Sequence, residues 1–283
     1  GGVSLSGMVR NRETFTSVMP NVVAMRHTWN ADELFVRGQP ETGADMADDL
    51  ARFCETYGGS TIAAVFVEPI AGSTGVLVPP KGYLERLREI CDEHGILLVF
   101  DEVICGFGRL GAPFASHAFG VTPDLMTMAK ALTNGAQPMG AVAVDDHVYK
   151  TITEAAPENA IEFFHGYTYS GHPAACAAGI AVQKIYQEEQ SFDKAASLSD
   201  YFLDGLFSLQ DLDVVKDIRG YGLMGGLELH PKGTPGALGT QTQKDLFWNG
   251  MHVKFTGDVG ILAPPFASEK EHIDEMIDKL RMT

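Results

Sequence analysis

Two side chains of the 283-residue chain, Asp101 and Lys130, stand where reacting groups would stand. Lys130 lies in Pro123-Asp-Leu-Met-Thr-Met-Ala-Lys-Ala-Leu-Thr-Asn-Gly135, among Leu125, Met126, Met128, Ala129, Ala131 and Leu132, with no acidic neighbour in that stretch after Asp124. Most lysines are solvated surface cations. An amine surrounded by apolar groups instead loses the hydration that favours its proton, so its pKa falls and its lone pair becomes available to attack a carbonyl. Asp101 closes an apolar run, between Val99-Phe100 and Val103-Ile104. A carboxylate there either caps backbone amides or takes a cationic partner, because an unpaired charge in a low-dielectric spot is costly. A protonated ring nitrogen is one such partner. An acid that keeps a pyridine nitrogen protonated and a lysine that holds an aldehyde, 29 residues further on, together fit a pyridoxal-phosphate site.

The elements that must position these groups are legible around them. Thr61-Ile-Ala-Ala-Val-Phe-Val67 is a continuous apolar run of the kind expected of a strand covered on both faces. From Lys81 to His94, Tyr83, Leu84, Leu87, Ile90 and Cys91 recur at helical spacing, and Gly95 sits where a left-handed cap belongs. Ile96–Phe100 is a second buried strand. Strand, amphipathic helix and strand make a crossover unit of a parallel sheet, so the fold class is α/β. Further on, Met139–Val144 reads as a strand and Pro173–Val182 as a buried helix. After about Gln190 the texture changes. Helices are expected at Phe192–Leu209, Thr240–Asn249 and Ser268–Leu280, with strands at Asp213–Ile218, Gly222–Leu229, His252–Phe255 and Gly260–Leu262. The expected division is a large cofactor-binding domain over 1–190 and a small α+β domain over 191–283.

Ligands of open α/β sheets sit outside the carboxyl ends of the strands. Those ends carry Glu68, then Asp101-Glu102, then Gly106-Phe-Gly-Arg-Leu-Gly111. The last segment formally matches GxGxxG. Asp101–Cys105 nevertheless separates it from its strand and Pro113 follows it, so the strand–glycine–helix order of a dinucleotide site is broken.

With 21 Lys and Arg against 37 Asp and Glu, a formal charge of −16 opposes phosphate backbones and anionic lipid surfaces. Neither nucleic acid nor a membrane is expected as partner, and no apolar run reaches the length of a membrane span. Cys54, Cys91, Cys105 and Cys176 form no CxxC and read as reduced thiols of a cytoplasmic protein. The nine histidines contain no HxH or HExxH, and no metal site is expected.

Taken in order, Glu68-Pro69, Asp101-Glu-Val103, Gly106-Phe-Gly-Arg109, Met128-Ala-Lys130 and His165-Gly-Tyr-Thr-Tyr-Ser-Gly-His-Pro173 resemble the class III (ω-)aminotransferases, with the nearest likeness to the β-alanine/ω-amino acid:pyruvate branch. The resemblance runs over essentially the whole chain. It implies a fold type I enzyme with a three-layer large domain, dependent on pyridoxal 5'-phosphate, that moves an amino group from an ω-amino acid or amine to a keto acid such as pyruvate. A mutase or decarboxylase on the same scaffold, and a non-catalytic remnant, are the alternatives. By resemblance Lys130 holds the cofactor and carries the proton, Asp101 partners the ring nitrogen, and Val103 packs on one ring face. Thr168, preceded by Tyr167, reaches the cofactor phosphate of a neighbouring subunit, which implies a homodimer with composite sites. Glu68 is an acid near the site or a structural strand-end acid. Two departures stand out. Lys254 occupies a position where many members have a carboxylate-gripping arginine, whose bidentate fork lysine does not reproduce. Position 104 is Ile where some branches use Gln, which points to the ω-amino acid and amine branch. The resemblance also implies an N-terminal part with a Gly-Ser phosphate turn and a stacking aromatic, neither of which precedes Gly1-Gly2, so a piece of a longer enzyme is expected. Neither Thr168 nor the Gly72-Ser-Thr-Gly75 loop is an obvious replacement for that turn.

Overall fold

The structure, a computed structural model, describes residues 1–283. Two short helices, α1 (Gly2–Leu5) and α2 (Val9–Thr14), lead through a long irregular run to α3 (Asp48–Tyr57). The strand–helix–strand unit then forms as expected, as β1 (Ala64–Val67), α4 (Tyr83–His94) and β2 (Leu97–Asp101). α4 buries the expected Tyr83, Leu84, Leu87, Ile90 and Cys91. It ends at Gly95, whose φ of 68° is the left-handed conformation that glycine adopts without a Cβ penalty. The β1 run is shorter than its apolar stretch, because Gly59–Thr61 forms a tight turn first.

After α5 (Ala115–Phe119) comes β3 (Leu125–Met128), a strand not anticipated from sequence. Leu-Met-Thr-Met is only four residues, lacks the β-branched density of a buried strand, and is half-buried throughout. β4 (Ala141–Val144) follows and pairs antiparallel with β3, whereas β1, β2 and β3 run parallel, in the order β1-β2-β3-β4. α6 (Asp146–Glu154) and α7 (Pro173–Glu188) complete this half, and α7 extends well past the expected Val182.

The remainder is α8 (Ser191–Phe207), β5 (Val215–Tyr221), β6 (Met224–Leu229), α9 (Ala237–Trp248), β7 (Lys254–Thr256), β8 (Val259–Leu262) and α10 (Lys270–Met282). Its four strands form an antiparallel sheet ordered β5-β6-β8-β7. One apolar cluster packs α3 and α4 on the first sheet. A second joins α8 and α10 to the antiparallel sheet through Phe202, Leu206, Ile218, Leu227 and Ile273. Met224 of β6 is buried in the first cluster, so the second sheet rests on the first. No helix is long and apolar enough to cross a membrane. All four cysteines are free thiols; Cys54, Cys91 and Cys105 are buried and Cys176 is half-buried.

Candidate active site

Three neighbouring parallel strands deliver three titratable groups to one edge of the sheet. Glu68 follows β1, Asp101 ends β2, and Lys130 lies two residues beyond β3. Pairing of Asp101 with Thr127 sets the register. The Asp101 Oδ1 accepts the Val103 amide at 3.0 Å and the Thr127 hydroxyl at 3.2 Å, while Oδ2 has no donor in the chain. The capping role that either neighbouring acid could have taken falls instead to Glu102. It is 1% exposed and accepts the Ala115 and Ser116 amides, each at 2.9 Å, at the start of α5.

Lys130 has φ of 46°, the left-handed region that a non-glycine residue enters only when its surroundings hold it there. Its side chain is exposed and its flanking Leu125, Met126 and Met128 only half-buried, so the apolar surround expected from sequence is partial. No carboxylate forms an ion pair with its amine. Burial of its protein side still lowers the pKa, Asp101 and Glu68 partly restore it, and Lys254 lowers it further. Glu68 is half-buried and accepts the Gly72 amide at 3.1 Å. Burial pushes its carboxyl above the ordinary value; Asp101 adds to this, against the Gly72 amide and Lys130.

Lys254 opens β7 opposite Ile261, is exposed, and has no carboxylate partner. Its positive charge adds to the lowering of the Lys130 pKa. Val103 is half-buried in the turn after β2. Tyr167 and Thr168 lie elsewhere, in an exposed run with Ile161, Phe163, Phe164 and Tyr169. Tyr167 donates to the Phe163 carbonyl at 3.1 Å, and no hydrogen bond or ion pair joins either residue to Glu68, Asp101 or Lys130 within the chain. In the Gly72–Gly75 loop the Gly72 amide is spent on Glu68 and the Gly75 and Val76 amides on the Gly72 carbonyl.

The chain belongs to a known family. A family model for Aminotransferase class-III matches residues 1–283.

This is a class-III aminotransferase chain.

Class-III aminotransferases depend on pyridoxal phosphate. The chain is 51% identical over 283 residues to the omega-aminotransferase of Caulobacter vibrioides, covering 99% of itself and 64% of that relative. It is 46% identical over 280 residues to the beta-alanine–pyruvate aminotransferase of Pseudomonas aeruginosa, covering 98% of itself and 62% of that protein. It thus spans less than two thirds of the length of these relatives. Among solved structures it superposes on the omega transaminase of Pseudomonas jessenii in complex with PMP, with a TM-score of 0.91, 30% identity and coverage of 99% of this chain and 63% of that one. A transaminase described with L-Ala gives a TM-score of 0.92 at 31% identity, covering 99% and 68%. The fold is that of the pyridoxal-phosphate enzymes of fold type I.

Two further residues drew no role from the sequence. Arg109 is half-buried without an acidic partner, and desolvation drops its pKa to about 10. Its Nη1 donates to the carbonyls of Pro264 at 2.6 Å and Leu223 at 3.4 Å, and its guanidinium lies 4.6 Å from the Phe266 ring centroid. Tyr186 of α7 donates to the Ala131 carbonyl at 2.8 Å. Its signal was the continuation of the small and apolar stripe Ala175, Gly179, Val182 at helical spacing, four residues past the expected end of the helix. A cleft of about 350 Å³ opens at the other end of β3 and β4. Its acids are already engaged, Asp124 with Arg88 and the Leu98 amide, and Asp145 as the cap of α6.

Proposed function

We propose that the protein carrying this chain is a pyridoxal-phosphate aminotransferase that passes an amino group from an ω-amino acid or amine to a keto acid such as pyruvate. The observation that carries the reading is the meeting of Asp101, Lys130 and Glu68 at the ends of three adjacent strands. An acid oxygen without a donor beside an amine without an ion-pair partner fits a ligand with a protonated ring nitrogen at one end and an aldehyde at the other. When bound, the cofactor supplies an electron sink for the substrate carbon that loses a proton.

The chain's own residues do the rest. Asp101, its carboxylate held in place by the Thr127 hydroxyl and the Val103 amide, would accept from the ring nitrogen at Oδ2. Lys130 would hold the aldehyde end through Nζ and, once displaced by the substrate amine, would carry the proton between substrate atoms; its lowered pKa leaves more of the amine free to do so at neutral pH. Val103 would pack on one ring face. Lys254 attracts the substrate carboxylate as a point charge rather than a fork, and Glu68 supplies the acid that tunes Lys130. Tyr167 and Thr168, not hydrogen-bonded to the cluster within one chain and set in an exposed aromatic run, fit a contribution to the phosphate site of a second copy in a homodimer. The two sheets and their separate cores support a large domain over 1–190 and a small one over 191–283, and four free thiols support a cytoplasmic setting.

The test uses the full-length protein. With pyridoxal phosphate and an ω-amino acid or amine donor, it should convert pyruvate to alanine, and borohydride should fix the cofactor on Lys130. Lys130→Ala should abolish both. Asp101→Asn should keep attachment and lose about 10²-fold or more in kcat. Cofactor fixed on Lys130 without amino transfer from any donor would favour a mutase or decarboxylase, and no cofactor binding at all would favour a non-catalytic protein.

A further inference from the structure

Lys130 occupies the first position of a single tight turn, Lys130–Leu132, in a backbone conformation that costs a residue with a Cβ about 1–2 kcal/mol. The turn is closed by long bonds. The Thr133 and Gly135 amides both reach the Lys130 carbonyl at 3.3 Å, and the Leu132 amide reaches the Ala129 carbonyl at 3.0 Å. Such a turn does not hold its own first residue in place. What grips it from outside is α7. The helix packs directly on the turn at Gly179, where a Cβ would meet the Leu132 carbonyl in ordinary contact at 3.7 Å. Gln183 Nε2 reaches that carbonyl at 3.5 Å, and the Tyr186 hydroxyl makes the short bond, 2.8 Å, to the carbonyl of Ala131.

Tyr186 is itself braced. It is 8% exposed, in a small cluster with Phe107 and Val182 on which Ala131, Leu132, Phe192 and Phe266 pack. Its ring meets Phe192 at 5.4 Å and Phe266 at 6.0 Å between centroids, and Phe266 lies under the Arg109 guanidinium. The chain of contact therefore runs from carbonyls just before β6 and just after β8, through Arg109, Phe266 and Tyr186, to the residue after Lys130.

We infer that Tyr186 is a positioning residue for Lys130, its hydroxyl holding the Ala131 carbonyl so that the amine is presented beside Asp101 and Glu68 without pairing to either. The inference rests on the proposed role of Lys130 as the reacting amine. The groups whose charge bears on that amine are Asp101 from β2, Glu68 after β1 and Lys254 from β7; the buried Cys105 thiol also faces it and is kept neutral by burial. On release of the turn the amine has two escapes, outward into water or inward onto a carboxylate, and both favour its ammonium form.

The decisive variant is Tyr186→Phe, which removes one oxygen and keeps the ring packing. Lys130 acylation followed against pH by peptide mass spectrometry, on the full-length protein without cofactor, should show a midpoint raised by about one pH unit toward the ordinary lysine range. Amide hydrogen exchange at Leu132, Thr133 and Gly135 should quicken about fivefold or more, while exchange in α4 stays as it was. Both quantities unchanged in a folded Tyr186→Phe protein would overturn the inference. Neither readout needs the cofactor. Failure of borohydride to fix pyridoxal phosphate on Lys130 in the unsubstituted protein would sink the functional reading alone, leaving the Tyr186 result to be judged separately.

Discussion

At the residue scale, the site is a balance of charges rather than a buried pocket. Lys130 is exposed, yet burial on one side and Lys254 lower its pKa against the pull of Asp101 and Glu68. Glu68 is the adjustable member, because burial first, and Asp101 second, hold its carboxyl above the ordinary value. An acid with a raised folded-state pKa binds its proton more tightly in the native chain. Its contribution to stability is therefore full below the unfolded pKa, and stability is lost as pH rises through the folded value. Glu68→Gln keeps an acceptor for the Gly72 amide and removes the charge. The variant should match the parent in acid and melt higher at neutral pH, by about 1–3 °C. It should also lower the Lys130 acylation midpoint, since one of the two acids that favour the ammonium is gone. A variant less stable at pH 7 than at pH 4, relative to the parent, would show that Glu68 is held ionised by Lys130 instead. Asp101 and Lys130 were legible in the sequence because their neighbours are apolar. The division of labour between Asp101 and Glu102 was not, because adjacent residues of a strand end face opposite ways and only the partner elements, β3 for one and α5 for the other, decide which acid is left free.

At the element scale, what sequence reading recovered were the segments with strong periodicity or β-branched density: β1, α4, β2, and nearly all of the second half from α8 to α10. It passed over β3, whose four residues carry no strand signal of their own and become a strand only by pairing with β2 and β4. It also stopped α7 short of Tyr186, since the small residues that marked its start give way to Lys184 and Glu188 on the solvent side. Tertiary contact decided both. The same holds for the seat of Lys254. The glycine- and proline-rich loop before α9 reads as a loop, but nothing in it announces that Gly239 must be glycine. A Cβ there would stand 2.1 Å from the Gly257 carbonyl oxygen and 2.9 Å from the Asp258 Cα, both backbone atoms of the β7–β8 turn. Asp258 in turn accepts the Gly236 and Gly239 amides at 2.8 and 2.9 Å, tying the start of α9 to that turn. Gly239→Ala should therefore cost about 3 kcal/mol, read as a lower denaturant midpoint at unchanged slope. It should also move Lys254 with its strand, weakening the apparent affinity for a carboxylate substrate. A cost below about 0.5 kcal/mol, the range of an exposed helix position, would mean that α9 and the turn are not in register as described.

At the scale of the whole molecule, one of the contacts between the two cores is made by a buried arginine that is ion-paired within its own sheet. Arg219 of β5 is 8% exposed and its Nη1 donates to Asp217 at 2.5 Å and Glu228 at 2.8 Å. Its Nε crosses to the Gly75 carbonyl at 2.8 Å, in the loop whose other end holds Glu68 through Gly72. Lys216 shares Glu228, and Asp217 also accepts the Phe35 amide at 2.6 Å. Burial works against the charge of Glu228, but the Lys216 and Arg219 donors outweigh it and its pKa lies below the ordinary value. A depressed carboxylate contributes stability that is present above its unfolded pKa and lost as pH falls through its folded one. Arg219→Met keeps much of the aliphatic packing, strips the buried Asp217 of its cation and leaves Glu228 with Lys216 alone, so at neutral pH it should cost about 3–5 kcal/mol. Without Arg219 the Glu228 carboxyl is held down less and takes up its proton more readily, so the gap between variant and parent should close as the pH is lowered toward 4. Because Arg219 also anchors the Gly75 loop, hydrogen exchange at the Gly72, Gly75 and Val76 amides should quicken in the variant even where the global fold persists. Denaturant unfolding at both pH values together with that exchange decides the matter. A cost that stays the same in acid would assign the effect to lost packing, and an unaltered loop would mean that the two cores do not communicate through this arginine.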